Sequence, residues 1–189
     1  MTLENLQMSS VQFWSCSLVM VIVDVLFVFL LSRWITPARF ADLKWTLVGS
    51  AAVFWSAFAI FVVQVFWDSY YRYFFPAWFH SGGVLIYVPI LYALFAFMFH
   101  WLAFRAPGKP IIIFCLLGGV ESLLEHAWGI VGFKILDIPL LQGTSPASIL
   151  TFSIPEYVFY WCIVISLAVL VQNGWRRWRS SRRMQTSSG

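Results

Sequence analysis

The sequence predicts an all-α integral membrane protein, a bundle of five transmembrane helices with its amino terminus outside and its carboxyl terminus in the cytoplasm. Three observations carry that reading. The chain of 189 residues is 61% hydrophobic, 20% aromatic and only 11% charged, whereas soluble domains are about 45–50% apolar and about 25% charged. It contains five apolar runs, each near the roughly 20 residues a helix needs to cross about 30 Å of hydrocarbon. Its basic residues are distributed unevenly among the connections between those runs.

The spans fall at about 13–33, 44–67, 82–104, 110–133 and 148–172, within a single membrane domain covering residues 1–175. Met1 to Ser10 is polar and lacks a basic residue and a small-residue cleavage site. The first run is therefore expected to stay in the mature protein rather than act as a signal peptide. Asp24 interrupts this first span at its middle, and Arg33 and Trp34 close it. Lys44 and Trp45 open the second span, which carries Gln64 one turn from its far end, close to Asp68. The second connection, Asp68 to His80, is too aromatic for a flexible linker and reads as a short amphipathic piece in the membrane interface. His100 and Trp101 lie near the end of the third span, where an interfacial position is expected. The fourth connection holds Pro139, Gly143 and Pro146, ordinary turn residues. Residues 176–189 form a basic tail that reads as disordered and cytoplasmic.

Orientation follows from Lys and Arg alone. Arg33, Arg39 and Lys44 flank the first connection, Arg105 and Lys109 the third, and Arg176, Arg177, Arg179, Arg182 and Arg183 lie in the tail; only Arg72 and Lys134 fall on the opposite side. The basic side is cytoplasmic by the positive-inside rule. The net charge of +4 is thus a topology signal that also suits anionic lipid headgroups, not a nucleic-acid stripe. The location expected is a bacterial cytoplasmic membrane. Cys16, Cys115 and Cys162 are odd in number and widely spaced, and read as small hydrophobes.

The fourth span carries the chemistry. At 100° per residue, Gly118, Glu121, Ser122, Glu125, His126, Gly129 and Gly132 fall within less than half of the helix circumference, opposite Val120, Leu123, Leu124, Ala127, Ile130 and Val131. Charged groups at membrane depth cost about 2.5–3.5 kcal/mol each on insertion scales, so three ionisable groups on one face point to a site turned into the bundle. Glu121 and Glu125 are stacked neighbours roughly 6 Å apart. Two carboxyls that close in low dielectric should not both ionise, so one is expected to hold its proton. The competing reading is that these residues and glycines only pack helices together.

In the fifth span Pro155 frees the carbonyl near Thr151, and Ser153 and Tyr160 share the face of Glu156. Asp24, Gln64, Glu121, Glu125, His126 and Glu156 then all lie at mid-membrane or in the outer half. Ile154-Pro155-Glu156-Tyr157-Val158-Phe159-Tyr160 resembles the proline–acid–aromatic motif of membrane-bound lycopene cyclases, which have a second acidic residue where this chain has Tyr157. That resemblance implies acid-initiated isoprenoid chemistry.

No metal or cofactor is expected. Glu125 and His126 are adjacent, so their directions diverge by about 100°, and no His-Glu-x-x-His pair, nucleophile elbow or phosphate-cradling Gly-rich loop is present. The function expected is a membrane enzyme using a protonated Glu as general acid on an isoprenoid- or sterol-like substrate. Glu121, Glu125, His126 and Glu156 are its catalytic candidates, and Asp24, Gln64, Trp128 and Tyr160 its substrate-binding candidates. The alternative is a non-enzymatic protein: a small-molecule or proton-coupled carrier, or an accessory subunit of a membrane complex.

Overall fold

The computed structural model describes residues 9–65, 72–73, 84–134, 136–137 and 145–187, with the backbone alone for 62–65, 72–73, 84–85, 136–137 and 183–187. The chain is helical. Its elements are α1 (Ser10–Trp34), α2 (Pro37–Ala41), α3 (Lys44–Val65), β1 (Arg72–Tyr73), α4 (Val84–Ala103), α5 (Pro110–His126), a π-helical continuation (Ala127–Gly132), β2 (Leu136–Asp137) and α6 (Pro146–Ser187). Among the described residues, five helices are long and apolar enough to cross a membrane: α1, α3, α4, α5 with its continuation, and α6. Asp68 and His80 lie outside the described residues, and of Gln64 only the backbone, on α3, is described.

Local sequence explains the starts and stops. Ser9 caps α1 through a reciprocal pair: its Oγ accepts from the Gln12 amide at 3.3 Å, and its own amide donates to Gln12 Oε1 at 2.9 Å. Thr36 caps α2 by accepting from the Arg39 amide, with Pro37 at the first helical position. Pro110 opens α5 in the same way after a turn through Gly108, whose φ of 126° suits glycine. Past His126 the helix widens, the Phe133 amide bonding to the Trp128 carbonyl at 2.6 Å, and Lys134 then turns into the left-handed region at φ 55° and ends it. A π turn takes up an extra residue and so rotates the side chains beyond it. Gly129 stays buried, as the helical arc predicts, but Gly132 is exposed.

α6 is the central element, packed against α5, α1 and α3, while α4 joins α3 to α5. Trp161, Cys162, Val164, Ile165 and Ala168 are fully buried along it. It begins at Pro146, and it continues as a helix to Ser187, so most of the tail read from sequence as disordered is helical. Pairs spaced for one helical face explain this. Trp175 and Trp178 stack at 4.9 Å, with Arg179 over the first ring and Arg182 over the second.

The two ends of the bundle differ. At one, β1 and β2 pair antiparallel, with Arg72 opposite Asp137, which brings the second and fourth connections together. At the other lie α2 and the basic residues. Asp42 accepts through its backbone carbonyl from Gln172 at 2.9 Å and meets exposed Arg176 at 3.4 Å, and Arg39 donates to Asn173 at 3.0 Å. His100, expected at an interface, is buried here, its Nε2 donating to the Phe40 carbonyl at 3.1 Å beneath the ring of Phe104.

The distribution of polarity is inverted relative to a soluble domain. Leu18, Val19, Ile22, Val25, Leu26 and Phe29 on α1, Ile86, Ile90 and Leu94 on α4, and Leu116, Val120 and Leu124 on α5 are all exposed. Asp24, Glu121, Ser122, His126, Ser153 and Glu156 are buried. The arc inferred for the fourth span accordingly turns its carboxylates inward and its aliphatic side outward.

Contact between α5 and α6 depends on two glycines. A Cβ on Gly118 would lie 2.1 Å from Trp161 Cδ1, and one on Gly119 would lie 3.1 Å from an Ile154 methyl. Gly118→Ala is therefore expected to lower stability in detergent by about 1–3 kcal/mol. Gly49→Ala, in a helix with open space around it, should be neutral or gain up to about 1 kcal/mol. Thermal unfolding of the two variants side by side checks the contrast.

Candidate functional site

The carboxylates of α5 meet α4 and α6 in a cluster of aromatic rings. Gly118 leaves room for the indole of Trp161, and the indole Nε1 donates to Glu121 Oε2 at 3.2 Å. One turn further, Glu125 Oε2 accepts from the phenols of Tyr157 at 2.8 Å and Tyr92 at 3.1 Å, whose hydroxyls lie 3.5 Å from one another. The two glutamates interact side chain to side chain. Trp55 of α3 covers the group, stacked on Tyr92 at 4.1 Å and lying 5.1 Å from Tyr157 and 6.2 Å from Trp161.

The two carboxyls are held differently. Glu125 is half-buried, with two phenolic donors on one oxygen. Glu121 is buried, with one oxygen bound to an indole N–H and its other oxygen, Oε1, without a hydrogen-bond partner. A carboxyl oxygen so placed is an exception to the rule that buried polar atoms are paired.

His126 is fully buried beside this cluster. Its Nδ1 donates to the Ser122 carbonyl at 2.9 Å, which leaves Nε2 as the acceptor nitrogen. The hydroxyl of Ser122 lies 3.3 Å from the same Nδ1 and donates to the Ser153 carbonyl of α6 at 2.9 Å. The imidazole meets the Tyr157 ring edge-on at 5.4 Å. It is thus a neighbour of the ring whose phenol binds Glu125.

Glu156 is buried on α6 and accepts from the Tyr160 hydroxyl at 2.6 Å. Tyr160 packs on Trp55 at 5.4 Å and on Phe58 at 5.0 Å, so the rings run continuously from Glu125 to Glu156. Asp24 is buried on α1 and close enough to Cys115 to act on it electrostatically; Cys115 lies roughly 9 Å along α5 from Glu121 at helical rise. Cys115 and Cys162 face each other there, sulfur to sulfur, at 3.7 Å. Trp128 is on the outside, 58% exposed and stacked on Phe133. Among the described residues, no three His, Cys, Asp or Glu side chains are grouped as metal ligands would be.

The structure therefore gathers Glu121, Glu125, His126, Glu156 and Tyr160 around one set of rings, with Trp128 on the outside. Four members of the cluster, Trp55, Tyr92, Tyr157 and Trp161, are not among the candidates drawn from the sequence. A signal exists for the tyrosines: a phenol in the middle of an apolar run needs a hydrogen-bond partner, and acids nearby in other spans are the natural ones.

No protein-family model, curated protein or solved structure matches this chain.

The Glu125 anchor is testable by itself. Tyr157→Phe, losing the 2.8 Å bond, is expected to destabilise by about 1–3 kcal/mol, and Tyr92→Phe by less. The double variant should cost more than the sum, because either phenol alone still satisfies the carboxylate. Unfolding of the three variants in one detergent measures that coupling; strict additivity would refute the shared anchor.

Proposed function

We propose that the chain is an integral membrane protein of a bacterial cytoplasmic membrane, with its amino terminus outside and carboxyl terminus in the cytoplasm. We further propose that the ring cluster is the centre of an enzyme acting on a lipid-soluble, isoprenoid- or sterol-like substrate, with Glu121 as general acid. Membrane insertion is supported by five helices long and apolar enough to span, with large apolar side chains exposed along α1, α4 and α5. Orientation is supported by the basic end, where Lys44 lies over Phe97 at 4.3 Å and Arg105 over Trp101 at 3.8 Å, as in an interfacial belt.

One observation carries the catalytic reading: of two neighbouring carboxyls, one is anchored by two phenols and the other keeps a buried oxygen without a partner. Different surroundings for paired titratable groups are how acid and base roles are divided. In this reading Glu121 Oε1 delivers its proton to a double bond or oxygen of the substrate. The positive charge that develops faces the rings of Trp55, Tyr92 and Trp161, whose π faces attract cations. Glu125 is near enough to take up the proton released when the product forms, and His126 holds Tyr157 against it.

A carrier is the second reading, favoured by the ring and carboxylate path that continues to Glu156. Acids in membrane spans serve proton relays equally well.

Expression of wild type and Glu121→Gln in the same host, with the apolar lipid extract profiled by mass spectrometry, separates them. The enzyme reading expects a product whose yield drops about 100-fold or more in Glu121→Gln, the usual scale of general acid catalysis. An unchanged profile, together with a Glu121-dependent proton flux in liposomes, would give the site to the carrier. Orientation has its own check. In a Cys16→Ser background, a membrane-impermeant maleimide applied from outside should label Ser145→Cys and spare Ser180→Cys, both positions being exposed. The reverse pattern inverts the topology.

A further inference from the structure

Two buried polar atoms in the ring cluster lack a hydrogen-bond partner, one a donor and the other a carboxyl oxygen. Trp55 is 2% exposed and Glu121 is 5% exposed, and neither the indole Nε1 of the first nor Oε1 of the second has a hydrogen-bond partner. They belong to the same group of rings: Trp55 lies 6.2 Å from Trp161, whose own N–H binds the other oxygen of Glu121. Buried polar atoms are nearly always paired, because leaving one unpaired forfeits its hydration without return. An unmatched donor and an unmatched carboxyl oxygen in one apolar cluster are what a small polar group on an otherwise apolar molecule would complete.

We propose that Trp55 Nε1 and Glu121 Oε1 together bind the hydroxyl of a lipid-soluble alcohol, a polyprenol- or sterol-like molecule whose hydrocarbon portion lies against the rings. The hydroxyl oxygen accepts from the indole N–H. A hydroxyl also pairs with Glu121 in either state of that group: it donates to an ionised oxygen, or accepts through its second lone pair from a protonated one. A carbonyl or an ether does only the latter, and a hydrocarbon does neither. A ligand would enter beside Glu125 and Tyr160, which are half-buried at the margin of the cluster. The inference rests on the reading that a lipid-soluble substrate approaches Glu121, and it adds the polar function by which that substrate is recognised.

Binding is measured directly, apart from turnover. Purified protein is released from detergent micelles in a native mass spectrometer after equilibration with geranylgeraniol, with its methyl ether, or with the parent hydrocarbon lacking oxygen. Wild type is expected to retain the alcohol about tenfold better than the hydrocarbon, the scale of one to two net hydrogen bonds, with the ether weaker than the alcohol. Trp55→Phe keeps an aromatic ring and removes the N–H, and should bring the alcohol close to parity with the hydrocarbon. Its apparent Tm is expected to fall by several degrees, because a smaller ring replaces a buried indole packed on its neighbours, and retention is therefore compared as the ratio of alcohol to hydrocarbon within each variant. Equal retention of alcohol and hydrocarbon by wild type overturns the proposal, and needs no variant. So does an alcohol preference that survives in Trp55→Phe. An ether retained as well as the alcohol overturns recognition of a hydroxyl, because it shows that the site only donates, from the indole N–H and a protonated Glu121, to any oxygen. A protein that binds the alcohol through Trp55 and alters no lipid sustains this site while the general-acid reading falls; lipid conversion without alcohol preference does the opposite.

Discussion

The centre of this bundle depends on an indole filling the space above a glycine. Trp161 is wholly buried on α6, and its ring lies where a side chain on Gly118 would otherwise be. From that seat it packs edge-on against Phe99 at 5.2 Å and Phe114 at 5.4 Å, and its N–H reaches Glu121. One side chain therefore sets the spacing of α5 and α6, links both to α4, and fixes the orientation of a buried carboxyl. Gly119 extends the close approach along Ile154 and Val158, so the two helices meet over more than a single point.

Because the outer surface is apolar, burial of apolar groups is a weak reason for these helices to associate in lipid; packing and interhelical hydrogen bonds have to supply it. The polar ties occur at two levels. Near the basic end, Gln172 and His100 bind carbonyls at Asp42 and Phe40, which fastens the first connection onto α6 and α4. Deeper in the bundle, Ser122 binds the Ser153 carbonyl, Trp161 binds Glu121, and two tyrosines bind Glu125. Between these levels the described contacts are ring on ring and aliphatic apart from the Cys115 and Cys162 sulfurs, 3.7 Å apart. Every one of these bonds crosses between elements, which is why the same residues that look like a site also hold the bundle together.

The sequence shows the spans, the odd one out among their faces, and the end where cations gather, because each is written in local periodicity and charge. The inward arc of α5 comes from 100° per residue, and it holds as far as the helix stays α. It fails at Gly132, since nothing in Ala127–Gly132 announces a π turn. The carboxyl-terminal helix is hidden for a related reason: Ser- and Arg-rich composition suggests disorder, and only the spacing of Trp175, Trp178, Arg179 and Arg182 shows a stabilised helical face. Depth along a span is also legible from sequence, but rotation between helices is not. Asp24 and Glu121 both look central in their runs, yet Glu121 meets the indole N–H of Trp161 while Asp24 Oδ1 is buried without a hydrogen-bond partner.

That rotation is what separates Glu121 from Glu125. The two are one helical turn apart on the same face, so α5 alone would treat them alike. Their difference comes from the neighbours each meets. Glu125 lies where phenols from α4 and α6 converge, at the half-buried edge of the rings. Glu121 lies deeper, where the indole of α6 offers a single N–H and Trp55 of α3 closes the cluster without offering its own. A carboxyl with two phenolic donors is already satisfied and has little to gain from a ligand, whereas Glu121, with an indole donor on Oε2 and Glu125 beside it, keeps Oε1 without a donor. The asymmetry arises from three partner helices acting on one repeat of a single residue type, and it makes Glu121 the carboxyl with capacity left for a ligand.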